Sequence, residues 1–109
     1  MKSSVKEANL IKLGRYIFDE SNMLLRIGKE EILLTKVEFL ILRSLVLNKE
    51  NIVRKEDLIS TVWFNRENLG KSTLRVFISI LRKILSKDPR IKIICHRSIG
   101  YRLTIKNPV

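Results

Sequence analysis

Thr35-Lys36-Val37-Glu38 opens a segment in which most residues up to Leu47 are apolar. No other stretch restricts the fold so tightly. Thr followed three residues later by Glu is a capping box, in which hydroxyl and carboxylate satisfy donors that a helix start leaves orphaned. The pattern predicts a helix over residues 35–48, ended by Asn48-Lys49-Glu50-Asn51. Val37, Phe39, Leu40, Ile41, Leu42, Leu45, Val46 and Leu47 surround its axis almost completely. A helix apolar all round must be buried on more than one side, so the rest of the chain has to supply cover on at least two faces.

Residues 9–34 supply the first cover. Asn9–Leu13, Tyr16–Phe18, Met23–Ile27 and Glu31–Leu34 are short apolar runs. Gly14-Arg15, Asp19-Glu20-Ser21-Asn22 and Gly28-Lys29 separate them with turn chemistry. The simplest assembly is a four-stranded antiparallel meander, too small to stand alone. The second cover follows the helix. Leu58, Ile59, Val62 and Trp63 give one buried stripe on a short helix over residues 55–63. Phe64–Gly70 is polar and loop-like, and a third helix over residues 72–85 is closed by Asp88-Pro89. Ile91–His96 and Tyr101–Ile105, around Arg97-Ser98-Ile99-Gly100, read as a hairpin over residues 91–105. Residues 9–106 form one expected domain and residues 1–8 a flexible lead.

Charge divides this scaffold. The 109 residues carry 22 Lys+Arg against 11 Asp+Glu, a formal net charge of +11. Residues 1–50 hold nine of the cations and seven of the acids, whereas residues 71–106 hold ten cations and one acid, Asp88. A globular chain this basic points to a polyanionic partner. A single cysteine, Cys95, excludes an internal disulfide and suits a reducing compartment. No apolar run approaches the roughly 18 residues that span a bilayer, and the start of the chain lacks a secretory signal. The expectation is a cytoplasmic domain that makes no membrane contact itself. No glycine-rich phosphate loop and no nucleophile–histidine pairing is present, so no enzyme, cofactor or small-molecule substrate is expected.

At 100° per residue, Leu74, Ile78, Leu81 and Leu85 fall on one arc of the third helix. Ser72, Arg75, Val76, Ser79, Arg82 and Lys83 fall on the other. Cations beside small hydroxyls and one aliphatic group are what a helix in a DNA major groove presents: Arg and Lys bond phosphates or guanine edges, hydroxyls bond either, and methyl groups touch thymine. A solvated polar face would look similar in isolation. The order changes the weighting, because a short helix, a loop, a basic helix and a basic hairpin form a winged helix-turn-helix pattern. Arg97 stands at the hairpin turn, and Lys92, Arg102 and Lys106 lie on its strands. Such a wing can lie on phosphates or reach into a minor groove.

The chain resembles the OmpR-type winged-helix DNA-binding domains of bacterial transcription regulators over about residues 9–105. The resemblance rests on Leu34-Thr35-Lys36-Val37-Glu38-Phe39, Ile52-Val53-Arg54-Lys55-Glu56-Asp57-Leu58 and Val62-Trp63. It rests also on Leu74…Ile78-Ser79…Leu81-Arg82-Lys83…Leu85 and Gly100-Tyr101-Arg102-Leu103. It implies an α+β fold: an N-terminal four-stranded antiparallel sheet, three helices and a C-terminal β-hairpin wing. It implies sequence-specific binding to double-stranded promoter or operator DNA with the third helix in the major groove. Arg75, Val76 and Ser79 would lie nearest the bases, and Ser72, Thr73, Arg82 and Lys83 would set the backbone. Arg97 and Arg102 would act from the wing. It further implies a polymerase contact by the loop residues Phe64, Asn65, Arg66, Glu67 and Asn68, and a homodimer or tandem dimer on DNA.

Ser72-Thr73-Leu74 and the Ile78–Lys83 run are closer to the ToxR/CadC-like branch, whose members carry this domain at the N-terminus of a regulator anchored in the inner membrane. Met1, a few residues before the first strand, agrees with that arrangement and argues against an upstream receiver domain. The chain departs from response-regulator members at Arg75, Phe77 and Ile80. Arg54 stands where Ser is usual, which leaves the second helix without its side-chain cap. Phe77 and Ile80 either pack against sheet or wing or touch thymine methyls, and packing is favoured. Two other functions compete: an RNA-binding module, and an effector domain or stand-alone regulator working mainly through contacts with polymerase or a partner regulator. Cys95 is expected to be a small buried hydrophobe, and Trp63 a core anchor.

Overall fold

Both halves of the capping box form. The Glu38 amide donates to the Thr35 hydroxyl at 3.2 Å, and the Thr35 amide donates to the Glu38 carboxylate at 3.0 Å. They start the helix α1, Lys36–Leu47, which is the middle layer of the molecule. Ile41, Leu42, Leu45 and Val46 are buried, and the Phe39 ring meets Phe18 with centroids 5.7 Å apart. Leu47 departs from the all-round burial expected of this helix and is 53% exposed. The computed structural model describes residues 9–62 and 71–106.

One cover of α1 is an antiparallel sheet of β1 (Leu10–Leu13), β2 (Tyr16–Asp19), β3 (Leu24–Ile27) and β4 (Glu30–Leu33), in that order. Strand alternation sends Leu13, Tyr16, Phe18 and Leu25 into the core. The Asp19 cluster makes the β2–β3 turn: its carboxylate accepts the Asn22 amide at 3.2 Å and Arg26 Nη1 at 2.8 Å. Burial raises the Asp19 pKa, but the bonds from Asn22 and Arg26 outweigh it and hold the group below its ordinary value.

The other cover holds α2 (Lys55–Val62), α3 (Lys71–Ile84) and a 3-10 turn, Leu85–Lys87. Beside them lies a three-stranded antiparallel sheet in the order β5 (Ile52–Arg54), β7 (Gly100–Ile105), β6 (Ile91–His96). Three helices and a C-terminal hairpin therefore follow the N-terminal sheet, the winged-helix arrangement. The strand β5 was not expected. Only Val53 of its three residues is buried, too short an alternation to register as a pattern. Its pairing with the hairpin requires Gly100: a Cβ there would stand 2.8 Å from the Arg54 Cα and collide with the Val53 carbonyl. The same junction answers the missing cap of α2, because the Lys55 amide donates to the Ile99 carbonyl at 3.0 Å. The wing turn thus satisfies one donor at the start of the helix.

Two polar side chains join the two covers. Asp88, 1% exposed, accepts the Arg15 amide at 2.8 Å from the β1–β2 turn. It also accepts the Arg90 amide at 3.1 Å and both Nε and Nη2 of Arg90 at 3.0 Å. Tyr16 of β2 donates its hydroxyl to the Ile84 carbonyl at 2.9 Å and accepts the Lys87 amide at 3.2 Å. The sheet is thereby tied to the exposed carbonyl end of α3. Among the described residues no helix is long and apolar enough to cross a membrane.

The Arg90 guanidinium holds the Asp88 carboxyl far below the usual carboxylate range, against the effect of burial. Its stabilising contribution is therefore complete above the unfolded-state pKa of about 3.9 and is lost as pH falls below it. Asp88→Ala should cost roughly 2 kcal/mol or more at neutral pH, since it strands partly buried donors. Asp88→Asn should flatten the acid limb of stability against pH between about 4 and 2. Urea titrations across that range would show it, and an acid limb parallel to the unsubstituted chain would contradict the assignment. Gly28→Ala faces only the cost of its left-handed backbone (φ +58, nothing within 4 Å), about 1–2 kcal/mol. Gly100→Ala should cost more, and equal melting temperatures for the two variants would refute the close approach.

Candidate nucleic-acid interface

The face of α3 turned to the core carries Leu74, Ile78 and Leu81, each at most 1% exposed, and the stripe ends on Leu85 in the 3-10 turn. Arg75, Val76, Ser79, Arg82 and Lys83 are exposed on the opposite face, and Thr73 is half-buried at its edge. Val76 is 56% exposed, an aliphatic group held in water between Arg75 and Ser79. The Ser72 side chain lies outside the described residues, as do Trp63 and the whole of Phe64–Asn68. Phe77 packs against the core margin and Ile80 is half-buried. Packing therefore accounts for Phe77.

Arg82 does more than sit on the outer face. Its Nε and Nη2 donate to the Ile93 carbonyl at 3.1 and 2.7 Å, which ties α3 to β6. A guanidinium carries five donors, so three N–H groups remain after these two bonds. Tyr101, paired across from Cys95 on the same side of the hairpin, is 6% exposed. Burial and the neighbouring Cys95 push its hydroxyl pKa up, and the positive charges of Arg75 and Arg82 oppose the shift. The two arginines and the inner face of the wing therefore share one electrostatic neighbourhood.

At the wing tip the Ile99 amide closes the turn on the His96 carbonyl at 2.8 Å, with Ser98 in the left-handed region at φ 68. Arg97, Ser98 and Ile99 are all exposed. The sequence pattern did not single out Ile99, and its one signal was an apolar residue at the tip of a turn. Arg102 is placed apart from this group. Strand alternation puts it with His96 on the side of the hairpin opposite to Cys95 and Tyr101, and its Nε donates to His96 Nε2 at 3.1 Å. Arg102 braces the wing.

Cys95 corrects an expectation. It is exposed, not buried: along β6 the core ends at Ile93, whereas Tyr101 across the hairpin is still buried. Asp88, the one acid of residues 71–106, is buried against Arg90, so α3 and the wing present no carboxylate outward. Among the described residues no group of His, Cys, Asp and Glu could hold a metal ion.

Residues 28–103 match the family described as "Transcriptional regulatory protein, C terminal". The chain is similar to the transcriptional regulatory protein RprY of Bacteroides fragilis, 31% identical over 103 residues that cover 94% of this chain and 44% of RprY. It thus spans about half the length of the curated relatives it matches. It is similar in structure to the RstA DNA-binding domain of Klebsiella pneumoniae, solved in complex with the RstA box, with a TM-score of 0.70 and 25% identity over 87% of this chain and 96% of that one. The DNA-binding domain of Escherichia coli CadC shares the fold at TM-score 0.76 and 19% identity, over 89% of this chain and 92% of that one.

The dual position of Arg82 separates it from its neighbours. Arg82→Ala should lower stability by about 1 kcal/mol through the lost bonds to Ile93, whereas Lys83→Ala should stay within about 0.5 kcal/mol. Chemical denaturation of both variants tests this, and equal stability would mean that the tether carries no weight.

Proposed function

The chain belongs to the family of transcriptional regulatory protein C-terminal domains, and on that premise we propose that it binds double-stranded operator DNA in the bacterial cytoplasm. One observation carries the reading: the exposed face of α3, with Arg75, Val76, Ser79, Arg82 and Lys83, is locked by Arg82 to a hairpin whose tip exposes Arg97. A helix about 10–12 Å across fits a major groove about 12 Å wide. Arg75, Val76 and Ser79 would face base edges there. Thr73, Arg82 and Lys83, with Ser72, would bond the flanking phosphates, and Arg97 would reach the adjacent backbone or minor groove. The RstA complex with its box supports duplex DNA as the partner. Recognition of single-stranded RNA needs aromatic platforms, yet among the described residues Tyr16, Phe18 and Tyr101 are buried, and Phe39 and Phe77 pack against the core.

The proposal includes a polymerase contact by Phe64–Asn68 and tandem binding on DNA, both from the family resemblance. A finer placement in the ToxR/CadC-like branch rests on Ser72-Thr73-Leu74 and the Ile78–Lys83 run.

A duplex selected from a randomised pool provides the test. With about 6–10 phosphates contacted, affinity should fall by roughly 10³–10⁵ between 50 and 200 mM salt. Lys83→Ala should weaken selected and random duplexes alike, while Arg75→Ala should relax preference at one base position by about 1–3 kcal/mol. A flat salt response would sink the reading, and equal losses on both duplexes for Arg75→Ala would remove it from the base-reading set.

A further inference from the structure

A second cationic surface lies at the base of the hairpin, at the opposite end from its tip. The β1–β2 turn, the loop after α1 and the start of β6 border an open cleft of about 820 Å³. Lys12, Arg15, Lys49 and Arg90 line it, with Glu50 as the one lining carboxylate among the described residues. Each hairpin strand has six residues, about 20 Å of length, so the cleft stands well beyond a Debye length of about 8 Å from Arg97.

The floor of this cleft is fixed. Arg90 is gripped through two nitrogens by Asp88, whose Oδ2 also takes the Arg15 amide. Glu50 is spent on the fold: it accepts the Thr104 hydroxyl at 2.6 Å and the Ile105 amide at 3.1 Å. Those bonds keep its pKa low, so it stays ionised. By contrast, the side chains of Lys12, Arg15 and Lys49 form no ion pair among the described residues. Counting Glu50 and Asp88 against the four cations leaves two positive charges in excess around one concavity.

We propose that this cleft binds a condensed phosphate anion, recognised by charge through Lys12, Arg15 and Lys49 with Arg90 as the fixed floor. The volume lies within the range of about 300–1,000 Å³ usual for small-ligand sites. Among the described residues no aromatic and only one aliphatic side chain, Ile105, lines it. A nucleoside would find nothing to stack on, so the phosphate chain is the recognised part. The site is separate from the α3 face and its occupancy does not depend on DNA binding.

Isothermal titration of the full chain with sodium tripolyphosphate, at about 150 mM salt to screen diffuse attraction, tests the assignment. One saturable site per chain is expected. Arg15→Gln with Lys49→Gln should weaken it by about tenfold or more, while Arg75→Gln with Lys83→Gln, which removes the same charge from α3, should change it less than about twofold. Equal losses for the two pairs, or binding that does not saturate at one site, would overturn the proposal by reducing it to general basicity. ATP binding no tighter than tripolyphosphate supports recognition of the chain of phosphates, and binding about tenfold tighter would overturn that charge-only recognition. The cleft pair should leave affinity for the selected duplex within about twofold. A loss matching that of the α3 pair would place the cleft in the path of DNA and overturn it as a separate site. Failure to bind any duplex would bear on the proposed function alone.

Discussion

Asp88 is a buried carboxylate in the most basic part of the chain, and its two oxygens join the N-terminal sheet to the base of the hairpin. The Arg90 fork spans both oxygens, and Oδ2 also accepts a backbone amide from the first turn of the N-terminal sheet. A charge can be buried at this site because every direction around it offers a donor. Tyr16 completes the joint a few residues away by donating to the end of α3. The consequence is that the N-terminal sheet, α3 and the base of the hairpin cannot be repositioned independently.

This joint explains why a helix with an outward cationic face is held rigidly enough to read a surface. The face itself contributes little to stability, being solvated side chains. Its orientation comes from Leu74, Ile78 and Leu81 underneath, from Tyr16 at its end and from Arg82 reaching to the Ile93 carbonyl. The wing is similarly tied at its tip, where the Ile99 carbonyl takes the first amide of α2. Helix, wing and sheet therefore behave as one preorganised body, which lowers the ordering cost that binding would otherwise meet.

Legibility in the sequence followed the range of the interaction. The capping box at Thr35 and Glu38, the turn cluster at Asp19 and the stripe of α3 were readable because each is decided by residues within one or two turns of chain. The strand β5 was missed because its three residues are held by partners nearly fifty positions away, Gly100 to Arg102. Asp88 looked like a helix stop beside a proline, since its Arg15 partner is 73 residues distant. Cys95 was expected to be buried because free cysteine is among the most buried residue types, although the structure exposes it. How far the core extends along each strand is a matter of packing: it ends at Ile93 on β6 but reaches Tyr101 on β7.

By itself the sequence determined which segments are helices and strands, which faces are apolar and where the positive charge concentrates, because periodicity and capping are local. It also carried the motifs by which the family is recognised. The tertiary structure alone decided which cations lie together. It set Arg75, Arg82 and the wing in one neighbourhood, turned Arg102 to the other side against His96, and gathered Lys12, Arg15, Lys49 and Arg90 from three distant segments into one cleft. Charges far apart in sequence meet only when burial of the apolar stripes brings their elements together, and that packing is a property of the whole chain.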